Sequence, residues 1–578
     1  MFRPDLSPVA DSLALSSLVG ALPLLTLFVL LGGLRLTAHW AGLAALGVSL
    51  VVAVTAYGMP VDLALLAGTE GAAFGLFPIM WIVLAALWVH QLTVVSGRFE
   101  DLRRSFNVVS DDPRVQALII AFCFGALLEA LAGFGAPVAI TGVMLMALGF
   151  SPVRAAVTVL VANTAPVAFG AIATPIITAG SLTKIDYADI GAYVGRQTPL
   201  LALFVPLLLV ALVDGVRGIR QTWPAALVCG AVFALAQFVS ATWISVELTD
   251  IIASLAALVA VVAFLRVWQP AGGARVREDL RQAARRERQE AGEEAAGGPA
   301  AGTRAEAADG TEGAGGAGET EGTKGAHAGI AGSRVLMAFV PYLIVIAVFA
   351  VAKLWDPAKE FLAASDIEVS WPGLDGKVLT AAGERSGTTV YVFPWLSSPG
   401  SLLLLCGLLV AVLHRVRVLD AVREFGRTVA TLRWALLTVG SVLALAYVMN
   451  LSGQTITIGT WIAGAGAAFA FFSPLLGWLG TAVTGSDTSA NALFATLQQT
   501  AAGKAGLDPT LLVAANTSGG VVGKMISPQN LTIAATAVGL PGKEAVLFRR
   551  AIAWSLLLLL VMCVLVFLQS HILAWMLP

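Results

Sequence analysis

NTAPVAFGAIATP at residues 163–175 and NTSGGVVGKMISP at residues 516–528 are one pattern written twice. Each runs Asn-Thr, five residues, Gly, three residues, Thr or Ser, then Pro, at a constant spacing along the chain. Upstream, after a one-residue slip, Gly125 and Gly133 answer Gly477 and Gly485. Matching Gly-x-x-Pro turns follow, Gly149 to Pro152 and Gly506 to Pro509. Polar segments broken by Gly and Pro at corresponding places in two apolar halves point to the binding site of a secondary transporter.

The surrounding composition calls for a bilayer. The chain is 58% hydrophobic and 12% charged, with a mean hydropathy of +0.85. About a dozen apolar runs have the roughly 17–25 residues that span a membrane. Clear ones are 17–34, 40–57, 72–95, 198–213, 223–242, 248–265, 335–352, 400–413, 434–449 and 551–569. A soluble core shows shorter apolar stretches and far more charge. Residues 1–12 carry Asp5 and Asp11 and lack a basic n-region, so no cleavable signal peptide is expected. Cys123, Cys229, Cys406 and Cys563 all lie in apolar runs and read as small core residues, with no metal or disulfide framework. A net charge of −1 singles out no partner, and no nucleic acid is expected.

Charge between the runs orients the chain. Basic clusters occur at Arg98/Arg103/Arg104/Arg114, Arg217/Arg220, 266–304, Arg415/Arg417/Arg423/Arg427 and Lys543/Arg549/Arg550. Short Lys/Arg-rich loops stay in the cytoplasm, so these five go inside. Acid-leaning loops (Asp62/Glu70 and Glu247/Asp250) go outside, as do both termini. The expected organisation is N-terminal spans (1–114), a first repeat core (115–213), spans (214–269) and a disordered cytoplasmic loop (270–333) that includes a short charged helix at 274–296. One span (334–353), an extracellular loop (354–398), more spans (399–466) and a second repeat core with a C-terminal helix (467–578) complete it. The outer loop alternates around Asp375-Gly376, which suggests a small β-hairpin.

The two copies then enter from opposite faces. The expected fold is an all-α polytopic membrane protein with about 12 transmembrane helices plus two re-entrant hairpins in an inverted repeat. Each copy reads as a hairpin, broken by Gly and Pro in 115–150 and at 485–489 in 470–503, then an interrupted helix. The interrupted helices carry Asn163-Thr164 and Asn516-Thr517 and end at Pro175 and Pro528. Close helix packing would by itself account for many of the Gly, Ser and Thr residues. It does not account for Glu129, Asp487, Asn491, Asn516, Lys524, Gln529 and Asn530 in the same elements.

The runs EALAGFGAPVAI (129–140), GWLGTAVTGSDTSANALFATLQ (477–498), LLVAANTSGGVVGKMISPQ (511–529) and LAWMLP (573–578) resemble the L-lactate permease family. The resemblance covers the chain from the first spans to the C-terminus, except the Ala/Gly-rich insert at 270–333. It implies proton-coupled uptake of 2-hydroxymonocarboxylates such as L-lactate, D-lactate and glycolate across a bacterial inner membrane.

Such a substrate needs donors for a carboxylate, a polar partner for a hydroxyl and a small apolar wall. Asn163, Thr164, Ser486, Asn491, Asn516, Thr517, Ser518 and Gln529 are the candidate polar partners. Lys524 is the leading carboxylate partner, the competing reading being a lysine that snorkels to the interface. Glu129 and Asp487 are the candidate proton-coupling carboxylates, since intramembrane acids are costly and mark function. The hydroxyls around Asp487 also suit a sodium ion, which leaves a sodium-coupled carboxylate transporter as an alternative; an anion channel is a second. His90 reads as interfacial. Without an HExxH, GxSxG, Walker or CxxC motif, no enzyme chemistry, metal or cofactor is expected beyond protons as the coupling ion, and a homo-oligomer is compatible with the sequence.

Overall fold

The computed structural model describes residues 1–107, 110, 112–133, 135–296, 332–381 and 383–578. Backbone groups in lipid must bond within their own segment, and the apolar runs are accordingly helical. The chain is an all-α polytopic membrane protein. Among the described residues nine helices are long and apolar enough to cross a membrane, ten if the bent pair Pro152–Ala162 and Val167–Thr183 counts as one. Three shorter apolar helices, Ala136–Ala147, Thr249–Phe264 and Pro399–Leu413, accompany them.

Each copy of the repeated pattern folds as a helical hairpin followed by a broken helix. In the first, Pro113–Ala132 leads by way of Gly133 and Gly135 into Ala136–Ala147; Pro152–Ala162 and Gly170–Thr183 follow. In the second, Phe469–Thr484 turns at Gly485 into Asp487–Ala505; Pro509–Gly523, the short turn Lys524–Ile526 and Pro528–Ala537 follow. Both tips use a left-handed glycine, Gly135 at φ 88° and Gly485 at φ 79°, a conformation costly for other residues. Pro113, Pro152, Pro509 and Pro528 each sit in the first turn of a helix, where a missing N–H costs no hydrogen bond.

Neither Pro175 nor Pro528 ends its helix as expected. The first break runs from 163 to 173, because Ala171, Ile172 and Ala173 are left-handed at φ 44°, 56° and 56°, and Pro175 stands in the first turn of the right-handed helix beyond them. The second falls at 524–527, and Pro528 opens the helix beyond it. Asn516-Thr517 consequently lies inside an intact helix, whereas Asn163-Thr164 lies at the end of one.

The segment 198–213 runs helically from Thr198 to a break at Asp214 and Gly215, about 24 Å at 1.5 Å per residue. At its Asp214 end, Arg154 donates to the Val213 carbonyl at 3.3 Å and Arg114 pairs with Asp214 at 3.1 Å. Just before its Thr198 end, the Tyr193 hydroxyl donates to Asp508 at 2.6 Å. The helices that begin beside Arg154 and Asp508 thus start from opposite ends. They converge where Leu160, Asn163 and Thr164 meet Val521 and Lys524.

Within the segment expected as a loop at 270–333, the short charged helix expected at 274–296 is present as Gly273–Ala296. Val276 and Leu280 are buried, and Asp279 pairs with Arg217 at 2.8 Å; residues 297–331 lie outside those described. In the outer loop, β1 (Ile367–Ser370) pairs antiparallel with β2 (Val390–Phe393), Ile367 opposite Phe393. Asp375-Gly376 is not the link that closes this ladder. It lies within the long connection, where Phe2 bonds Lys377 and Leu379.

Candidate functional site

The site is built from both hairpin tips and both helix breaks. Glu129 lies near the end of Gly125–Ala132, one turn before the first tip. Lys524 follows Pro509–Gly523 at the second break. Its Nζ donates to Glu129 Oε1 at 2.5 Å, across 395 residues of sequence. Lys524 is only 7% exposed and Glu129 2%, so the lysine points into the protein instead of snorkelling. The other Glu129 oxygen, Oε2, has no partner.

Asp487 begins the second arm of the second hairpin, behind the capping Ser486. Thr481 Oγ1 donates to its Oδ1 at 3.3 Å, while Oδ2 is buried and unpartnered. Glu129, Gly133, Gly170, Gly485, Asp487 and Lys524 surround a small cavity of about 30 Å³, enough to admit water. Ser486 also lines it.

The repeated glycine has the same task in both copies. A Cβ on Gly170 would lie 2.9 Å from Glu129 Oε1, and one on Gly523 would lie 2.4 Å from the Trp478 carbonyl. Each is pressed against the first arm of its own hairpin. Gly520 is tighter still, since its Cβ would fall 1.9 Å from Asp487 Oδ1. These glycines serve close packing, and that packing brings the acids to the breaks.

The other candidates divide into two groups. Asn491 Oδ1 accepts from Asn516 Nδ2 at 3.1 Å and Thr517 Oγ1 at 2.9 Å, and Asn491 Nδ2 donates to the Asp487 carbonyl at 3.0 Å. Gln498 donates to Asn516 Oδ1 at 3.4 Å. This closed network fastens the second hairpin to its broken helix. By contrast, Asn163 Oδ1 and Ser518 Oγ are buried without partners. Thr164 donates to the Val161 carbonyl, and Asn163 and Thr164 line a recess with Lys524 and Asn530. Gln529 is exposed and packs against the second tip, not in the cavity. Asn530, missed as a site residue, donates to the Lys524 carbonyl and to Ser527 Oγ, both at 3.0 Å. It holds the break that presents Lys524.

The L-lactate permease profile matches residues 16–573. The glycolate permease GlcA of Escherichia coli K12 is 41% identical, with 98% of this chain and 97% of that protein covered. The L-lactate permease of Bacillus subtilis 168 is 39% identical, with 99% of each covered. The chain belongs to the L-lactate permease family. It is a permease and not an enzyme, a multi-pass protein of the bacterial inner membrane. Among solved structures, the Alcanivorax borkumensis YdaH transporter covers 86% of each chain at 14% identity, with a TM-score of 0.40, too low to establish a common fold.

In this permease, three acids expected in outer loops are buried. Glu247 pairs with Lys353 at 2.9 Å. Glu70 lies within Val61–Phe74 and Asp250 opens Thr249–Phe264; both are fully buried with unpartnered oxygens. The apolar run read as 72–95 begins after Glu70, which the helix Val61–Phe74 takes in, whereas Asp250 already lies at the start of the run 248–265. His90 is likewise buried, its ring edge-on to Phe99.

Proposed function

We propose that this permease imports L-lactate and related 2-hydroxymonocarboxylates, D-lactate and glycolate, by proton symport. The Lys524–Glu129 pair supports this reading most directly. In the empty carrier the two charges neutralise each other away from water. A substrate carboxylate reaches Lys524 only by displacing Glu129, and a displaced, ionised Glu129 would be an unpaired buried charge at a cost of several kcal/mol. Protonating Glu129 removes that cost. Anion and proton therefore bind together, and the site is electrically neutral both empty and loaded. Asn163, Ser486 and Ser518 supply nearby polar groups for the hydroxyl, and Asp487 is the second candidate proton site.

On this reading the hairpins are re-entrant and the two copies form an inverted repeat that rocks around the cavity. Helices starting beside Arg154 and Asp508, at opposite ends of 198–213, support it. A total of about 12 spans then leaves out the hairpin arms, takes in Thr249–Phe264, Pro399–Leu413 and the second broken helix from Pro509 to Ala537, and divides Thr198–Ile244 at Asp214 and Gly215. The basic Arg114/Arg154 end faces the cytoplasm.

The test uses purified protein in liposomes containing a pH-sensitive dye. An inward lactate gradient should acidify the lumen, and clamping the membrane potential with valinomycin should leave the rate unchanged. Lactate entry without acidification would overturn proton symport. If entry instead follows an imposed sodium gradient, coupling moves to Asp487, whose bare oxygen lies beside hydroxyl groups suited to a hard cation.

A further inference from the structure

One buried acid beside the site takes no part in the exchange at Lys524. Asp250 is 0% exposed at the start of Thr249–Phe264, a helix that packs directly against the Glu129-bearing Gly125–Ala132. Its Oδ1 accepts from Gln237 Nε2 at 3.4 Å, and its Oδ2 is unpartnered. The same Gln237 nitrogen donates to the Ala165 carbonyl at 3.2 Å, inside the first helix break. Thr198 Oγ1 donates to Gln237 Oε1 at 3.3 Å. One amide thus joins Asp250 to the break that shapes the substrate cavity.

The charges around Asp250 are few. Glu129, itself held by Lys524, acts on it from the hairpin. On its own chain segment Glu247 lies one turn before it and is neutralised by Lys353, with Tyr187 donating to the same carboxylate at 3.0 Å. Cys123 and Cys229, on the two helices that pack against Thr249–Phe264, touch each other and lie about 9–12 Å further along those helices at 1.5 Å per residue. Among the described residues no cation pairs with Asp250. A buried carboxylate without a partner is costly when ionised, whereas a carboxyl that holds a proton is not. A helix-start acid can also be structural, because the helix dipole favours it. The bare oxygen, the shared amide and the neighbouring Glu129 go beyond what that account needs.

We propose that Asp250 is a second proton-holding carboxyl that passes the coupling proton to Glu129, connecting the site to the end of the bundle where Tyr187, Glu247 and Lys353 meet. The step balances as one transfer. The O–H bond at Asp250 breaks, an O–H bond forms at Glu129 as it leaves Lys524, and Asp250 recovers its proton from water. Gln237 donates to the transiently ionised Asp250. The inference rests on the proton-symport reading.

Asp250→Asn keeps the shape and the contact with Gln237 but holds no exchangeable proton. In proteoliposomes, lactate exchange at equal pH should stay near the wild-type rate, while uptake driven by a pH gradient should fall by about tenfold or more, as for loss of a proton-transfer group. Asp250→Glu should restore the driven uptake with a displaced pH profile. Driven uptake unchanged in Asp250→Asn overturns the proposal, and so does an equal fall in exchange and driven uptake, the signature of a structural role. If Asp250→Asn does not fold, a wild-type pH profile in Asp250→Glu overturns it instead. Glu129→Gln, measured alongside, separates the two claims. Driven uptake that survives in Glu129→Gln defeats the symport reading. Driven uptake lost there but kept in Asp250→Asn defeats the relay alone.

Discussion

At the scale of single residues, the contact that matters joins Lys524 to Glu129. Removing one member of a buried pair leaves the other charged and alone, typically at about 3–5 kcal/mol. Lys524→Met should therefore weaken lactate binding by a few kcal/mol and also lower the unfolding temperature. The double variant Lys524→Met/Glu129→Gln should recover the stability but not the transport, as thermal denaturation and uptake assays would show; a double variant as unstable as Lys524→Met would contradict the pairing. Gly520→Ala forces a Cβ against Asp487 and should cost about 1–3 kcal/mol by overpacking. Gly503, whose Cβ would meet nothing within 4 Å, is the control: Gly503→Ala should be neutral or mildly stabilising. The sequence marks Glu129, Asp487 and Lys524 as charges inside apolar repeats, and the structure gathers all three around one cavity. That Lys524 meets Glu129 was not legible, because nothing in a local pattern signals a pair 395 residues apart. The polar roles were less legible still. Asn491, Asn516 and Thr517 carry the same residue types as a binding site and satisfy one another.

At the scale of elements, the Gly-Pro punctuation was readable because glycine and proline have few physical uses. Gly135 and Gly485 mark both tips, and Pro113, Pro152, Pro509 and Pro528 open helices. The breaks were misplaced because proline is tolerated in a helix's first turn and near a break, so it does not by itself show which side is helical. The element arrangement is testable by labelling. In a background lacking the four buried native cysteines, Arg154→Cys should react with a membrane-impermeant thiol reagent only from the cytoplasmic side and Asp508→Cys only from outside. Labelling of both from one side would sink the inverted repeat. The insert is testable by deletion. Removing 297–330, which lacks large apolar residues apart from Ile330, should leave uptake intact. Extending the deletion to 273 also removes buried Val276 and Leu280 and the Asp279–Arg217 pair, and should lower thermal stability. A short deletion that reaches the membrane yet abolishes uptake would contradict this division.

At the scale of the whole molecule, the two copies of the repeat meet around a small cavity of about 30 Å³. On the proposed reading the hairpin tips separate to admit lactate, and an inverted repeat lets one side open while the other stays shut. The account stands on neutrality of that closed centre: Lys524 faces either Glu129 or a substrate anion, and the proton on Glu129 makes the exchange possible. Glu129→Gln removes the proton site while keeping shape. In proteoliposomes with a lumenal pH dye, wild-type protein should acidify the lumen under an inward lactate gradient. Glu129→Gln should exchange labelled lactate at a comparable rate yet give no acidification and no accumulation driven by a pH gradient. Acidification of wild-type magnitude by Glu129→Gln would contradict the account and move the coupling proton away from Glu129.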